Sequence, residues 1–263
     1  MIATHHDPAA GRRPRDFQIN LLVTAGALAA AGLLAFSIDL PVATWCKSHR
    51  LPGEIGRLVN LLELSGHSLG AAIILLAALS LDRSLRFAWP GRSFGRARPI
   101  QRTKRIDDSA HEHSGGGGAL AFVRLVAATY LGGIVVDVIK VSVERVRPRA
   151  ADLATLASPF ATFGDASLTA AAPHAADLMS FPSGHAAVAA GLAAALACRY
   201  PHGTPLFVFL AGATALQRVV TSAHYPSDVA FGAAVGLVAA AACLGPGRSR
   251  ADSRRVLAGS TPA

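Results

Sequence analysis

The sequence predicts an all-α polytopic membrane protein with six transmembrane helices. Three observations carry that reading. Hydrophobic residues make up 52% of the chain and charged residues 16%, against about 25% charged residues in ordinary soluble domains. Six apolar runs approach the ~20 residues that a helix needs to cross a bilayer. The basic residues fall mostly between these runs. The formal charge of +9 is therefore a loop charge, and without a basic stripe with interleaved aromatics it excludes a nucleic-acid partner.

The first run is 18–38, "QINLLVTAGALAAAGLLAFSI". It is longer than a signal-peptide core and lacks a clean small-residue cleavage site, so it reads as an uncleaved anchor. Residues 39–63 contain "GEIGRLVNLLE", the pattern of a short amphipathic helix on the membrane surface. The second run is 64–81 and the third 119–140. Between them, 82–118 is a basic loop ending in the flexible "SGGGG". The fourth run is 182–199, preceded by a segment over 149–180 rich in Ala, Ser, Thr and Asp that could form a lid. The fifth is 205–223 and the sixth 226–244. The organisation that follows is a cytoplasmic N-terminus (1–17), a membrane domain (18–244) and a cytoplasmic tail (245–263). Cys46, Cys198 and Cys243 have no metal spacing and read as small apolar or interfacial thiols.

Lys and Arg fix the orientation, because cytoplasmic loops carry the excess. Arg12, Arg13 and Arg15, the 82–118 loop, Arg199 and the tail arginines fall on one side. Both termini are then cytoplasmic. Arg124, near the start of the third run, can snorkel. Against that tendency, Lys140, Arg145, Arg147 and Arg149 crowd the outer end of the third run, and Arg218 lies inside the fifth. Cations in such places are costly and mark function.

The same topology brings His185, His224 and Asp228 to the outer face. Lys140 and Arg147 are seven residues apart, so a helix running to Pro148 would project both from one face. Pro182 and Pro226 suit the first positions of two helices running inward. Their N-termini would point at one mouth, with the N–H groups of Ser183 and Gly184 open to an anion. Asp228, in the first turn of the sixth run, could fix the tautomer of His224. Three cations, helix-end amides and two histidines suit phosphoryl transfer: the cations share the developing charge, one imidazole attacks and the other moves a proton.

The stretches "KVSVERVRP" (140–148), "PSGH" (182–185) and "RVVTSAHYPSD" (218–228) resemble, in order, the three motifs of the type 2 phosphatidic acid phosphatase superfamily. That family includes lipid phosphate phosphatases, undecaprenyl pyrophosphate phosphatases and vanadium haloperoxidases. The resemblance covers about residues 119–244, the catalytic core that it implies, and predicts a helical core of that type. It implies that Lys140, Arg147 and Arg218 bind phosphate oxygens with Ser183 and Gly184, and that His224 becomes phosphorylated. It further implies that Asp228 orients His224 and that His185 protonates the leaving oxygen. Gln217 stands where the third motif often has Ser. No metal and no cofactor is implied. The substrate would be a lipid phosphate or diphosphate (phosphatidic acid, phosphatidylglycerol phosphate or undecaprenyl diphosphate type), met at the outer face of a bacterial plasma membrane.

Weaker signals are Asp137, one turn from Lys140, and Glu63 with His67, read as interfacial polarity before a headgroup contact. His111 and His113, with Asp107, Asp108 and Glu112, read as a solvated linker rather than a metal tract. Two other functions compete: a haloperoxidase-like oxidoreductase, disfavoured because those relatives are soluble, and a phospholipid-binding protein without catalysis. The sequence leaves the oligomeric state open.

Overall fold

A computed structural model describes residues 14–49, 52–82, 85, 115–164 and 174–245. The His111/His113 tract, the N-terminal arginines Arg12 and Arg13, most of the basic loop, the middle of the 149–180 segment and the tail beyond 245 lie outside the described residues. Seven α-helices are described: α1 (Pro14–Ser48), α2 (Gly53–Leu61), α3 (Ser68–Leu81), α4 (Gly115–Ser142), α5 (Gly184–Arg199), α6 (Thr204–Val220) and α7 (Pro226–Leu244). A 3-10 turn, Leu62–Ser65, joins α2 to α3. Among the described residues there is no strand, only isolated bridges from Arg145 to Phe163 and Met179.

Among the described residues, four helices are long and apolar enough to cross a membrane, within Arg15–Ser48, Gly118–Ser142, Pro201–Val220 and Pro226–Leu244. A fifth crossing is available if α2 and α3, bent by 61° about the 3-10 turn, count as one span. The run expected over 182–199 forms a 16-residue helix. At 1.5 Å per residue it is about 24 Å long, short of the ~30 Å hydrocarbon core. Its position explains the shortfall: α5 is packed by α4, α6 and α7, and most of its residues are buried. Lipid contact falls instead on the outer helices, where Val23, Leu33, Leu34, Val138, Val141, Leu206 and Phe209 are all more than half exposed. Large apolar side chains facing outward on this scale mark a membrane protein.

Several boundaries differ from the sequence expectation: α4 begins at Gly115, within the glycine run expected to be a flexible loop, and two others bear on the site. The first helix continues through Pro41 to Ser48 instead of ending near 38. Proline removes one backbone bond, but packing along α7 carries the helix onward. The third span ends at Ser142, six residues before Pro148. From there the chain is extended, because other strands of loop capture its amides: Arg145 N–H donates to Leu178, Val146 N–H to Thr162 and Arg147 N–H to Asp177. Lys140 and Arg147 therefore do not share a helix face.

Close approach of α5 and α7 depends on Gly232 and Gly236, four residues apart. A Cβ on Gly232 would lie 2.2 Å from the Ser183 carbonyl, and one on Gly236 2.2 Å from that of Ala187. This small-residue seam sets the two helix N-termini side by side. At the other end of the bundle, Arg124 does not snorkel: it donates to the carbonyls of Cys243 and Gly245 at the end of α7. A cation at a helix C-terminus satisfies carbonyls left without intrahelical partners.

Candidate active site

Every residue singled out at the outer face lies at one end of the bundle, near the end of α1, α4 or α6 or the start of α3, α5 or α7. Local structure explains the pairing of Arg218 with His224. Helix α6 closes in a Schellman turn: Ser222 N–H donates to Val219, and Ala223 N–H to Arg218. Such a turn needs one left-handed residue, and Ser222 supplies it at φ 54°. The His224 N–H also donates to the Arg218 carbonyl, at 3.1 Å. A six-residue spacing thus becomes a fixed relation between a cation and an imidazole.

His224 is 2% exposed. Its Nδ1 lies 2.7 Å from the Ser180 carbonyl. A carbonyl only accepts, so Nδ1 carries the proton and Nε2 keeps its lone pair. The sequence assigned this orienting contact to Asp228, whose Oδ2 is 3.6 Å from Nδ1. The shorter contact belongs to Ser180, and Asp228 is the hub behind it. Asp228 Oδ2 accepts from the Ser180 hydroxyl at 2.6 Å and from the Tyr225 N–H at 2.9 Å. Its Oδ1 meets Arg145.

Arg145 was not among the site residues expected from the sequence. It is fully buried and spans two carboxylates, Asp228 and Asp39, the latter at 2.7 Å. It also donates to Ser227 Oγ at 2.8 Å and Thr162 Oγ1 at 2.9 Å, and lies over the rings of Tyr225 and Phe163. Asp39, on α1, accepts from the Ser227 N–H at 3.0 Å and so caps α7 from a neighbouring helix. A signal for Asp39 was present: a carboxylate at the end of an apolar run needs a partner.

The cations surround this hub. Lys140 Nζ is 3.8 Å from Asp137, and a Cβ on Gly184 would come within 3.4 Å of it. Arg218, 8% exposed, pairs through Nη1 with Glu63 at 2.6 Å. Among the described residues, the Nε atoms of Arg147 and Arg218 find no hydrogen-bond partner. Buried guanidinium donors without a partner suit an oxyanion. Ser183 N–H is not open, as expected from sequence, but donates to the Asp228 carbonyl at 2.9 Å. The Ser183 hydroxyl caps α5, 3.5 Å from the Ala186 N–H. Helix α5 starts at Gly184 and not at Pro182, whereas Pro226 does begin α7. A cavity of about 460 Å³ lined by His67, Tyr130, Asp137, Lys140, Gly184 and His185 opens beside these groups.

The described ends of the 149–180 segment form a fastened wall. Arg149 pairs with Asp177 at 2.8 Å, and Lys47 Nζ donates to the Ala151 carbonyl at 2.8 Å. Among the described residues, no three His, Cys, Asp or Glu side chains converge as a metal would require.

Burial holds the His224 imidazole well below its ordinary value, at about 4, against the opposing pull of Asp228; Arg147 and Arg218 push the same way as burial. The ring is therefore neutral, and nucleophilic, at every pH above that value. With substrate ionisation divided out, the acid limb of kcat/KM should fall only near pH 4. A limb centred on the ordinary histidine value of about 6.5 would contradict this.

Residues 121–245 match the model of a family described as the PAP2 superfamily. The chain is 45% identical over 78 residues to a decaprenylphosphoryl-5-phosphoribose phosphatase of Mycobacterium tuberculosis, covering 29% of this chain and 43% of that protein. It is 34% identical over 119 residues to a lipid A 1-phosphatase of Rhizobium etli, covering 45% of each. A lipid A 1-phosphatase of Rhizobium johnstonii is 27% identical over 226 residues, 86% of this chain and 79% of that one. The match thus spans less than half the length of the first two relatives. No solved structure matches the chain at the same stringency.

Proposed function

We propose, from the match of residues 121–245 to the model of the PAP2 superfamily, that the protein is an integral membrane phosphatase that hydrolyses a lipid phosphate or diphosphate through a phosphohistidine. One observation carries the reading. A neutral imidazole with a fixed tautomer, His224, stands with Lys140, Arg147, Arg218 and His185 at one end of a lipid-facing helical bundle.

In the first step the lone pair of His224 Nε2 attacks phosphorus while the bond to the leaving oxygen breaks. His185 gives that oxygen its proton. Lys140, Arg147 and Arg218 share the charge on the three remaining phosphoryl oxygens, with the start of α5 at Ser183 and Gly184 beside them. In the second step water attacks phosphorus, His185 takes the water's proton, and the P–N bond breaks to release phosphate and neutral His224. Asp228 acts through Ser180 and the α7 terminus, holding Nδ1–H in place.

A lipid substrate is supported by an almost wholly apolar cleft of about 590 Å³ between α1, α5, α6 and α7. It runs from Val219 and Pro226 at the level of the site toward Phe17 and Thr204 at the opposite end. The relatives' names, a decaprenylphosphoryl-phosphoribose and a lipid A phosphatase, support the same class. The reading has six crossings, with α2–α3 as one and α5 as the enclosed sixth. Both termini are cytoplasmic, and the site faces outward from the plasma membrane.

The experiment is phosphate release by purified full-length protein from phosphatidic acid, phosphatidylglycerol phosphate, undecaprenyl diphosphate and lipid A phosphates. At least one should turn over with EDTA present and be inhibited by vanadate. Phosphate release from none of them would contradict the function. His185→Ala should slow alkyl phosphates far more than aryl phosphates, whose leaving groups need no proton. Equal losses would remove His185 from the acid role.

A further inference from the structure

The geometry points to Glu63 as an internal anion that occupies the phosphoryl subsite and is displaced when substrate binds. The inference rests on the phosphoryl-site reading above. Glu63 lies on the 3-10 turn where α2 bends into α3. Its Oε1 is 2.6 Å from Arg218 Nη1 and 3.0 Å from His185 Nε2, and its Oε2 is 3.3 Å from Gln217 Nε2. One carboxylate thus pairs with a phosphate-binding cation and lies beside the nitrogen that is to protonate the leaving oxygen, which itself makes no hydrogen bond among the described residues.

Both contacts are ones that the reaction itself needs. A phosphoryl oxygen bound by Arg218 Nη1 and a leaving oxygen beside His185 Nε2 require the Arg218 donor and the space that Glu63 holds. The carboxylate also neutralises a guanidinium that is 8% exposed, a state costly without a partner. A tethered carboxylate competes at a high effective concentration. Substrate prevails because a phosphoryl group reaches Lys140 and Arg147 as well, whereas Glu63 reaches neither in the contacts it makes. Inorganic phosphate, the product, has no lipid tail to add affinity, so Glu63 should weaken its hold and speed its release. Glu63 is about 30% exposed and sits on a turn, so it can swing aside without disturbing a buried helix.

The test is the inhibition constant of inorganic phosphate for full-length protein in detergent, in wild type, Glu63→Gln and Glu63→Asp. Glu63→Gln removes the charge and should bind phosphate on the order of tenfold more tightly. Glu63→Asp keeps the charge on a shorter arm and should fall between. KM should drop with the inhibition constant in Glu63→Gln. An unchanged or raised constant in that variant would overturn the proposal and make Glu63 a fixed support. Hydrogen–deuterium exchange on wild type, which needs no variant to fold, should show faster exchange over residues 60–67 with saturating phosphate. Unchanged or slower exchange there would also overturn it. If wild type hydrolyses a lipid phosphate and Glu63→Gln binds phosphate no better, only the displacement is wrong. If wild type neither hydrolyses lipid phosphates nor binds phosphate, the phosphoryl-site reading fails with it.

Discussion

His224→Ala should lower phosphate release by at least about a thousandfold, the scale on which loss of a nucleophile acts. No other group in the described site can replace it. His185 is assigned to the proton of the leaving oxygen, and Lys140, Arg147 and Arg218 are cations. The substitution removes the donor to the Ser180 carbonyl, and an unpartnered buried acceptor costs about 1–3 kcal/mol. His224→Asn separates the two effects. Its side-chain amide can donate to Ser180 in place of Nδ1, but it offers no nucleophilic nitrogen. Activity should be lost in both variants, stability only in His224→Ala. Phosphate binding should survive in His224→Asn, because the three cations are untouched. Measurable turnover near the wild-type rate in either variant would remove His224 from the chemistry.

The second large effect is on stability. Arg145→Met removes the one guanidinium that joins Asp39 to Asp228, all three fully buried. Two buried carboxylates are then left without their shared guanidinium, with hydroxyls, amides and the His224 ring around them. Breaking a buried pair in this way costs about 3–5 kcal/mol. In a chain of this size that corresponds to a thermal midpoint lower by roughly 10 °C. Adding Asp39→Asn to Arg145→Met removes one of the stranded charges and should recover part of the loss. The coupling between the two sites is what distinguishes a charge network from simple packing. A wild-type midpoint for Arg145→Met, followed by thermal unfolding in detergent, would contradict the role given to this network.

These two residues differ in how visible they were. His224, His185, Lys140, Arg147, Arg218 and Asp228 could be read because short spacings and one topological argument place them at the same end of the bundle. Arg145 and Asp39 are 106 residues apart, and no local pattern joins them. Their pairing depends on α1 lying against α7, which helix periodicity does not specify. Ser180 was missed for a different reason: it orients His224 through its backbone carbonyl, and any residue has one. Glu63 was noticed with His67, yet its pairing with Arg218 depends on the bend between α2 and α3. The end of α4 was misplaced because Pro148 is a strong stop signal, while the actual stop is set by the carbonyls of residues 162, 177 and 178, which accept from the amides of residues 145–147. The valines at 141, 143 and 146 suit extended chain and were the available warning.

On the proposed mechanism, phosphate passes through His224. A phosphorus–nitrogen bond on imidazole survives alkali and breaks in acid, unlike a phosphoserine ester. Full-length protein should therefore be mixed with lipid substrate labelled in the transferred phosphate and quenched in denaturing alkali within one turnover. Label should appear on the protein, stable to base, released by acid and mapped to the peptide containing His224, with none on His224→Asn. Full turnover by wild type with no protein-bound label, or label that persists in His224→Asn, would contradict it.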